Sequence, residues 1–192
     1  MCEDTRVTNK LLSSLNIGTP KLSFHQHSDD KKMMDIIERL SKGDDLALVT
    51  DAGTPGISDP GGKLVERAVE QMPDIRIVPI PGPSAVIAAL SVSGFPADKF
   101  VFLGFPPQKK GRNAYFEDVA QRKETVVFYE STHRIEKTLV ALSEVIADRP
   151  IMVARELTKL HETLYRGKAL DVLDQLKRGS AKGEFVVIIR AL

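Results

Sequence analysis

Two stretches of this 192-residue chain hold residues whose types and spacing suit chemistry. Between Asp51 and Gly62 the sequence reads DAGTPGISDPGG. Glycines without a Cβ let such a loop take positive φ and admit a ligand close to its backbone, while Pro55 and Pro60 stiffen it. Asp51, Thr54, Ser58 and Asp59 supply the polar groups. The loop exceeds the roughly 2–6 residues that a βα connection needs. It follows Leu46-Ala47-Leu48-Val49, an apolar run that reads as a buried strand. The carboxyl end of a strand is where open α/β sheets bind ligands; a plain surface turn is the alternative. The second stretch is charged. Glu130, His133, Arg134, Arg155, Glu156, Lys159 and Glu162 fall at or just beyond strand ends. Carboxylates beside cations serve as acid–base groups or as a salt-bridged surface, and residue types alone leave both readings open.

Several other chemistries are absent. There is no G-x-x-x-x-G-K-[ST] phosphate loop and no G-x-G-x-x-G after a strand. There is no G-x-S-x-G, and the one cysteine, Cys2, stands at the chain start, which argues against a hydrolase nucleophile. His25 and His27, two apart on an extended chain, point the same way, and Asp29 or Asp30 would have to complete a metal site. No third histidine lies at ligand spacing. The expectation is a polar loop with Asp29 or Asp30 capping the next helix, and no metal.

The elements that must position these residues alternate. Helical spacing predicts helices over 6–15, over 30–42 with Met33, Ile36, Ile37 and Leu40 inward, and over 63–71. Strands are expected at 46–50 and 75–80. The second ends in Pro81-Gly82-Pro83-Ser84-Ala85, where Ser84 is placed to cap an apolar helix over 85–93 that Gly94 ends. A strand over 99–105 follows. Pro106-Pro107-Gln108-Lys109-Lys110-Gly111-Arg112 then reads as an inter-domain linker and, with Arg122 and Lys123, as the densest basic patch. On the next helix, 112–121, Tyr115 or Phe116 should face the core. The second half continues with a strand at 125–130, a helix over 132–147 capped by Ser131, a strand at 151–155, a short strand at 162–166, a helix at 170–177 and a final strand at 184–190. The pattern is α/β, with domains expected at 1–105 and 106–192.

Composition bounds the rest. The chain is 42% hydrophobic and 28% charged with a net charge of +1. That excludes a strongly basic nucleic-acid binder by bulk charge but leaves a local phosphate-binding patch at Lys109, Lys110 and Arg112. No apolar run approaches the ~20 residues of a membrane span, and no signal peptide is evident. A single cysteine forms no internal disulfide, and a reducing cytoplasm is the expected setting.

Seven motifs stand together in order: Glu3-Asp4-Thr5-Arg6; Thr50-Asp51-Ala52-Gly53-Thr54-Pro55 with Ile57-Ser58-Asp59-Pro60-Gly61; Pro81-Gly82-Pro83-Ser84-Ala85; Gly104-Phe105-Pro106; Tyr129-Glu130-Ser131 with His133-Arg134; Ala154-Arg155-Glu156-Leu157-Thr158-Lys159; and Gly183-Glu184-Phe185. From Glu3 to about Ile189 the chain resembles the 16S ribosomal RNA 2′-O-methyltransferase I family of the tetrapyrrole methylase superfamily. The resemblance implies two α/β domains, a mostly parallel N-terminal sheet and a mixed C-terminal one, with S-adenosylmethionine in the cleft between them. It implies methyl transfer to the ribose 2′-hydroxyl of a cytidine in the decoding region of 16S RNA, by a homodimer. Asp51, Ala52, Gly53, Thr54, Pro55, Ile57, Ser58, Asp59 and Pro60, with Pro81, Gly82, Pro83, Ser84 and Ala85, would line the cofactor site. Tyr129 and Ser131 would close it. Glu156 and Glu130 are the candidate bases, with Arg155 and Lys159 beside them, and Arg134 joins the basic patch as an RNA contact. The family's opening strand and its threonine-proline-glycine loop are missing before Glu3, which leaves a sheet edge open. Two alternatives stand beside this expectation: a small-molecule methylase acting on a porphyrin-like ring, and a non-catalytic truncated remnant.

Overall fold

The computed structural model describes residues 1–25, 28, 30–59, 61–146 and 148–192. His27, Asp29 and Pro60 lie outside the described residues. Compactness divides the chain into Met1–Pro83 and Ser84–Leu192, whereas the linker reading set the boundary at 105/106. The residues between these two boundaries pack on the second unit's sheet, as shown below.

The first unit holds helices α1 (Thr5–Ser14), α2 (Asp30–Ser41) and α3 (Gly61–Gln71). Asp4 caps α1 through the Arg6 N–H at 2.7 Å and also binds the Arg6 guanidinium. Those hydrogen bonds, the side-chain one first, pull its carboxyl down to about 2. Ile36 and Ile37 of α2 meet Leu64 and Ala68 of α3 around Phe24, with Leu46, Leu48 and Ile75 packed against them. Among the described residues, the mostly parallel sheet expected here has no paired ladder. Among the described residues, the unit's β-pairing consists of isolated parallel bridges from Cys2 to Ser23 and to Val49. The stretches 46–50 and 75–80 form no ladder. Their composition suits strands, but that preference is realised only by cross-strand packing and burial. Here Val78 and Ile80 remain 55% and 80% exposed.

The second unit is a five-stranded sheet of β1 (Phe100–Phe102), β2 (Thr125–Ser131), β3 (Ile151–Arg155), β4 (Thr163–Gly167) and β5 (Glu184–Ile189). Its order is β1-β2-β5-β3-β4. β1 and β2 are parallel, and β5 is antiparallel to both β2 and β3. The first three strands therefore all run one way. Side chains alternate between two cores as a pleat requires. Val126, Phe128, Ile151, Val153, Val187 and Ile189 face helices α5 (Arg112–Gln121), α6 (Ile135–Ile146) and α7 (Ala169–Arg178). Val127, Met152, Ala154, Val186 and Ile188 face α4 (Ala85–Ser93). On α5, Phe116 is the fully buried aromatic.

Ser84 caps α4 through the Ile87 N–H, and Gly94 ends it at φ +74°. At its far end the Val92 carbonyl accepts from the Arg166 guanidinium at 2.6 Å. The expected cap of α6 is corrected. Ser131 still belongs to β2, residues 132–134 turn, and the helix begins at Ile135. The Ser131 hydroxyl instead accepts from the Arg134 guanidinium at 3.1 Å. The expected strand 99–105 shrinks to Phe100–Phe102, after which Gly104 bends the chain at φ +63°.

Candidate functional site

Because β1, β2 and β3 share a direction, the segments that follow them emerge on one edge of the sheet. That edge gathers residues 104–107, 131–134 and 156–162, together with Gly183 and Glu184 leading into β5. It is the ligand-binding edge of α/β sheets, and it holds most of the charged residues singled out by sequence.

Glu130 lies at the end of β2 and is 1% exposed. Its carboxylate accepts from the Thr138 hydroxyl at 2.6 Å and from the Ser131 N–H at 2.8 Å. It pairs with Arg134 at 2.9 Å and, more loosely, with Arg112 at 3.8 Å. Each guanidinium also donates to the linker: Arg134 to the Pro106 carbonyl at 3.0 Å and Arg112 to that of Pro107 at 3.1 Å. Arg112 further donates to Thr138 and stacks over the Phe116 ring. Both arginines expected to meet RNA thus turn inward onto Glu130, because a buried carboxylate must be paired. Lys109 and Lys110 stay exposed.

Beside this cluster, Tyr129 contacts Phe102 edge-on at 4.9 Å and Phe105 at 5.4 Å between ring centroids. Burial raises the Tyr129 hydroxyl pKa, partly opposed by a hydrogen bond with the Val86 backbone in the first turn of α4. Ser84 and Ala85 therefore share this neighbourhood with Tyr129.

After β3 the chain takes a strained turn. Glu156 and Thr158 adopt φ of +50° and +64° without being glycine, a conformation that side chains disfavour and that clusters at functional sites. Glu156 Oε1 accepts from the Glu184 N–H at 2.8 Å and from the Lys159 ammonium at 3.3 Å. Lys159 also reaches Glu184 Oε2 at 3.0 Å. Among the described residues nothing engages Glu156 Oε2. Contact with the Glu184 backbone, then Lys159, lowers the Glu156 carboxyl. Gly183 has φ +128°, and a Cβ there would sit 2.7 Å from Glu156 Cγ. Arg155 does not face outward. It is buried and braces the turn through the carbonyls of Lys182 and His161, at 2.6 and 3.0 Å.

In the first unit, the two carboxylates of residues 51–62 have different duties. Asp59 accepts from the Thr50 hydroxyl at 2.6 Å and from the Gly61 N–H at 3.0 Å, so it braces the loop. A Cβ at Gly61 would meet the end of the Leu48 side chain at 2.6 Å and the Gly56 backbone nitrogen at 3.1 Å, so a larger residue there would have to displace its neighbours. Asp51, Ala52, Gly53 and Thr54 are exposed, as are Ile57 and Ser58, and Pro55 is half-buried. Ser58 sits at φ +54°. No described residue engages the Asp51 carboxylate. The Thr54 hydroxyl donates to the Pro83 carbonyl at 2.9 Å, tying this loop to exposed Pro81, Gly82 and Pro83.

Sequence reasoning missed Thr138, Thr132 and the aromatic contact of Phe102. Thr132 clamps Gly183 by donating to its carbonyl at 2.7 Å and accepting from its N–H at 2.8 Å. Thr138 was findable, since it lies one helical turn after Arg134 on the face that Ile135, Leu139 and Leu142 turn inward. Among the described residues, no group of three or more His, Cys, Asp and Glu is arranged to hold a metal ion. Nor is any helix long and apolar enough to cross a membrane.

Comparison with known proteins gives concordant findings. Residues 1–172 match the family model for Tetrapyrrole (Corrin/Porphyrin) Methylases. A Thermotoga maritima protein named ribosomal RNA small subunit methyltransferase I is 40% identical over 189 residues, covering 98% of this chain and 84% of that protein. A Streptococcus pyogenes protein of the same name is 45% identical, covering 97% of this chain but 65% of its own length. In fold, diphthine synthase superposes with a TM-score of 0.70 at 13% identity, over 95% of this chain and 73% of its own. A uroporphyrin-III C-methyl transferase from Thermus thermophilus, solved with S-adenyl homocysteine, gives 0.59 at 12% identity, over 93% and 80%.

Proposed function

Since the chain belongs to the ribosomal RNA small subunit methyltransferase I family, within the tetrapyrrole methylases, we propose that it methylates small-subunit ribosomal RNA using S-adenosylmethionine. The target is the ribose 2′-hydroxyl of a decoding-region cytidine. The observation that carries this reading is the 40% identity over 189 residues, 98% of the chain.

The residues of the first unit fit the cofactor. Asp51 offers an unengaged carboxylate to a cationic ligand or to ribose hydroxyls. Beside it, a Cβ built at Gly53 meets nothing within 4 Å, so the backbone there is open to close approach. Thr54, Ile57, Ser58 and residues 81–83 complete that surface. When bound, the cofactor supplies an electrophilic methyl on a sulfonium. Methyl transfer of this kind is mainly a matter of orientation, so a modest base suffices.

In the second unit, Glu156 is the base: its free Oε2 accepts the proton of the ribose hydroxyl. Lys159, held by Glu156 and Glu184, steadies the carboxylate. Glu130 has no free position and serves as a positioning residue. Lys109 and Lys110 hold phosphates. The working form is read as a cytoplasmic homodimer, in keeping with the superfamily and with the lone cysteine.

The test incubates the chain with methyl-labelled S-adenosylmethionine and either small-subunit RNA or free uroporphyrinogen. Label in the ribose of one decoding-region cytidine supports the reading. Label in the tetrapyrrole alone overturns it. The Glu156→Gln variant should lose roughly 10²-fold in kcat while its affinity for the cofactor holds.

A further inference from the structure

Phe105 is 49% exposed at the carboxyl edge of the sheet. A single exposed apolar side chain is ordinary on a protein surface. What distinguishes this one is how firmly its backbone is held. The Gly104 carbonyl accepts from the Tyr129 N–H at 2.8 Å, which extends the β1–β2 pairing to the residue just before it. The Pro106 and Pro107 carbonyls just after it accept from Arg134 and Arg112. Both guanidiniums are fixed in turn by the buried Glu130 carboxylate. One side of the ring rests against Tyr129. Burying a carboxylate and two partly buried guanidiniums is costly unless geometry demands it, and here the cluster immobilises a short surface segment. Four and five residues after Phe105, Lys109 and Lys110 are exposed cations. A firmly held aromatic face next to exposed cations is the arrangement that takes an unstacked nucleobase while the cations take its phosphates.

We propose that Phe105 is the stacking platform for a nucleobase of the RNA substrate, and that Glu130 is its positioning residue, acting through Arg134 and Arg112. This rests on the RNA methyltransferase reading and adds to it the residue that grips the base. Stacking is indifferent to which base it meets, so Phe105 contributes affinity and register rather than base identity.

The test measures two affinities on the full chain: for a fluorescent single-stranded decoding-region RNA, and for S-adenosylmethionine by calorimetry. Phe105→Ala should weaken RNA binding by about 5- to 150-fold, the usual cost of losing one stacked base. Phe105→Trp should restore it to within about threefold, whereas Phe105→Leu should not, because only an aromatic face stacks. Cofactor affinity should hold in all three variants. Unchanged RNA affinity in Phe105→Ala, or full rescue by leucine, overturns the proposal. So does a loss of cofactor affinity that parallels the RNA loss, which would hand the ring to the cofactor's adenine. A wild-type chain that binds the cofactor yet prefers no RNA sinks the methyltransferase reading itself, and that result is read before any variant is made.

Discussion

Glu130 and Glu156 are both glutamates beside basic residues at the same edge of the same sheet, and they live in opposite surroundings. Glu130 is 1% exposed and each of its oxygens is engaged. Glu156 sits on a strained turn with Oε2 unengaged among the described residues. The difference teaches that a charged strand end becomes structural when a helix covers it. It stays available when the chain turns back without one. α6 follows β2 after three residues and lays Thr138 over Glu130. After β3 the chain loops through residues 156–162 into edge strand β4, and among the described residues no group engages Glu156 Oε2, although the side chain as a whole is only 19% exposed.

The comparison breaks first at Glu130. Removing one partner from a buried charge cluster leaves the others uncompensated, typically at about 3–5 kcal/mol. Glu130→Ala should lose about that much in urea denaturation, and Glu156→Ala clearly less, about 1 kcal/mol for a half-buried carboxylate whose partner Lys159 is exposed. Equal losses would mean that burial does not separate the two sites. Next in size is Gly183→Ala. The substitution forces a Cβ both into a positive φ and onto Glu156 Cγ, and should cost about 1–3 kcal/mol. Adding Glu156→Ala should recover part of that loss, since the clash is with its side chain. A purely additive double variant would show that backbone strain accounts for the whole effect.

How much of this was legible in the sequence follows from the same physics. The helices over 85–93 and 112–121 and the strand at 151–155 were readable residue for residue, because periodicity, caps and glycine stops agreed there. The strands of the first unit were not. An apolar run such as Ile75-Arg76-Ile77-Val78 states a preference for pairing, but pairing is a property of two segments, and those residues meet no ladder. The candidate site was legible as a set of loops and illegible as a division of labour. Arg112 and Arg134 look like solvent-facing RNA contacts until Glu130 is known to be buried between them. Asp51 and Asp59 look equivalent until Asp59 is seen gripping Thr50 and Gly61. Which charge is spent on the fold depends on contacts distant in sequence, and no local pattern records those.

Tyr115 sharpens the buried side of the comparison. Its hydroxyl is enclosed with no hydrogen-bond partner among the described residues. Burial first, and then the Glu130 charge, push its pKa far above the ordinary tyrosine value, so it is neutral across the accessible range. An unsatisfied buried hydroxyl is costly to keep. Tyr115→Phe should therefore be neutral or stabilising by up to about 1 kcal/mol. A loss of similar size would mean that the hydroxyl has a partner through water.

The smallest effect lies at Glu156, and pH resolves it. Hydrogen bonding from the Glu184 backbone, then from Lys159, holds the Glu156 carboxyl below its usual 4.5. A depressed carboxyl contributes stability that is complete above the unfolded value and is lost as pH falls through the folded one. For Lys159, burial alone would lower the ammonium. The hydrogen bonds and charges of Glu184 and Glu156 outweigh it and raise the group above its usual 10.5. That contribution is complete below the unfolded value and is lost as pH rises through the folded one. Between the two limits the Glu156–Lys159–Glu184 cluster should add a flat increment, under about 1 kcal/mol because Lys159 and Glu184 are exposed, and shrinking with salt. Stability of the parent minus that of Glu156→Gln, followed by denaturation from acid to neutral pH, should rise below the ordinary carboxylate range and then level off. If the difference instead falls as pH rises through and above that range, Glu156 is not held ionised by its neighbours. It would then be a stronger base than its hydrogen bonds imply, and the methyl-transfer reading would ask less of orientation and more of proton abstraction.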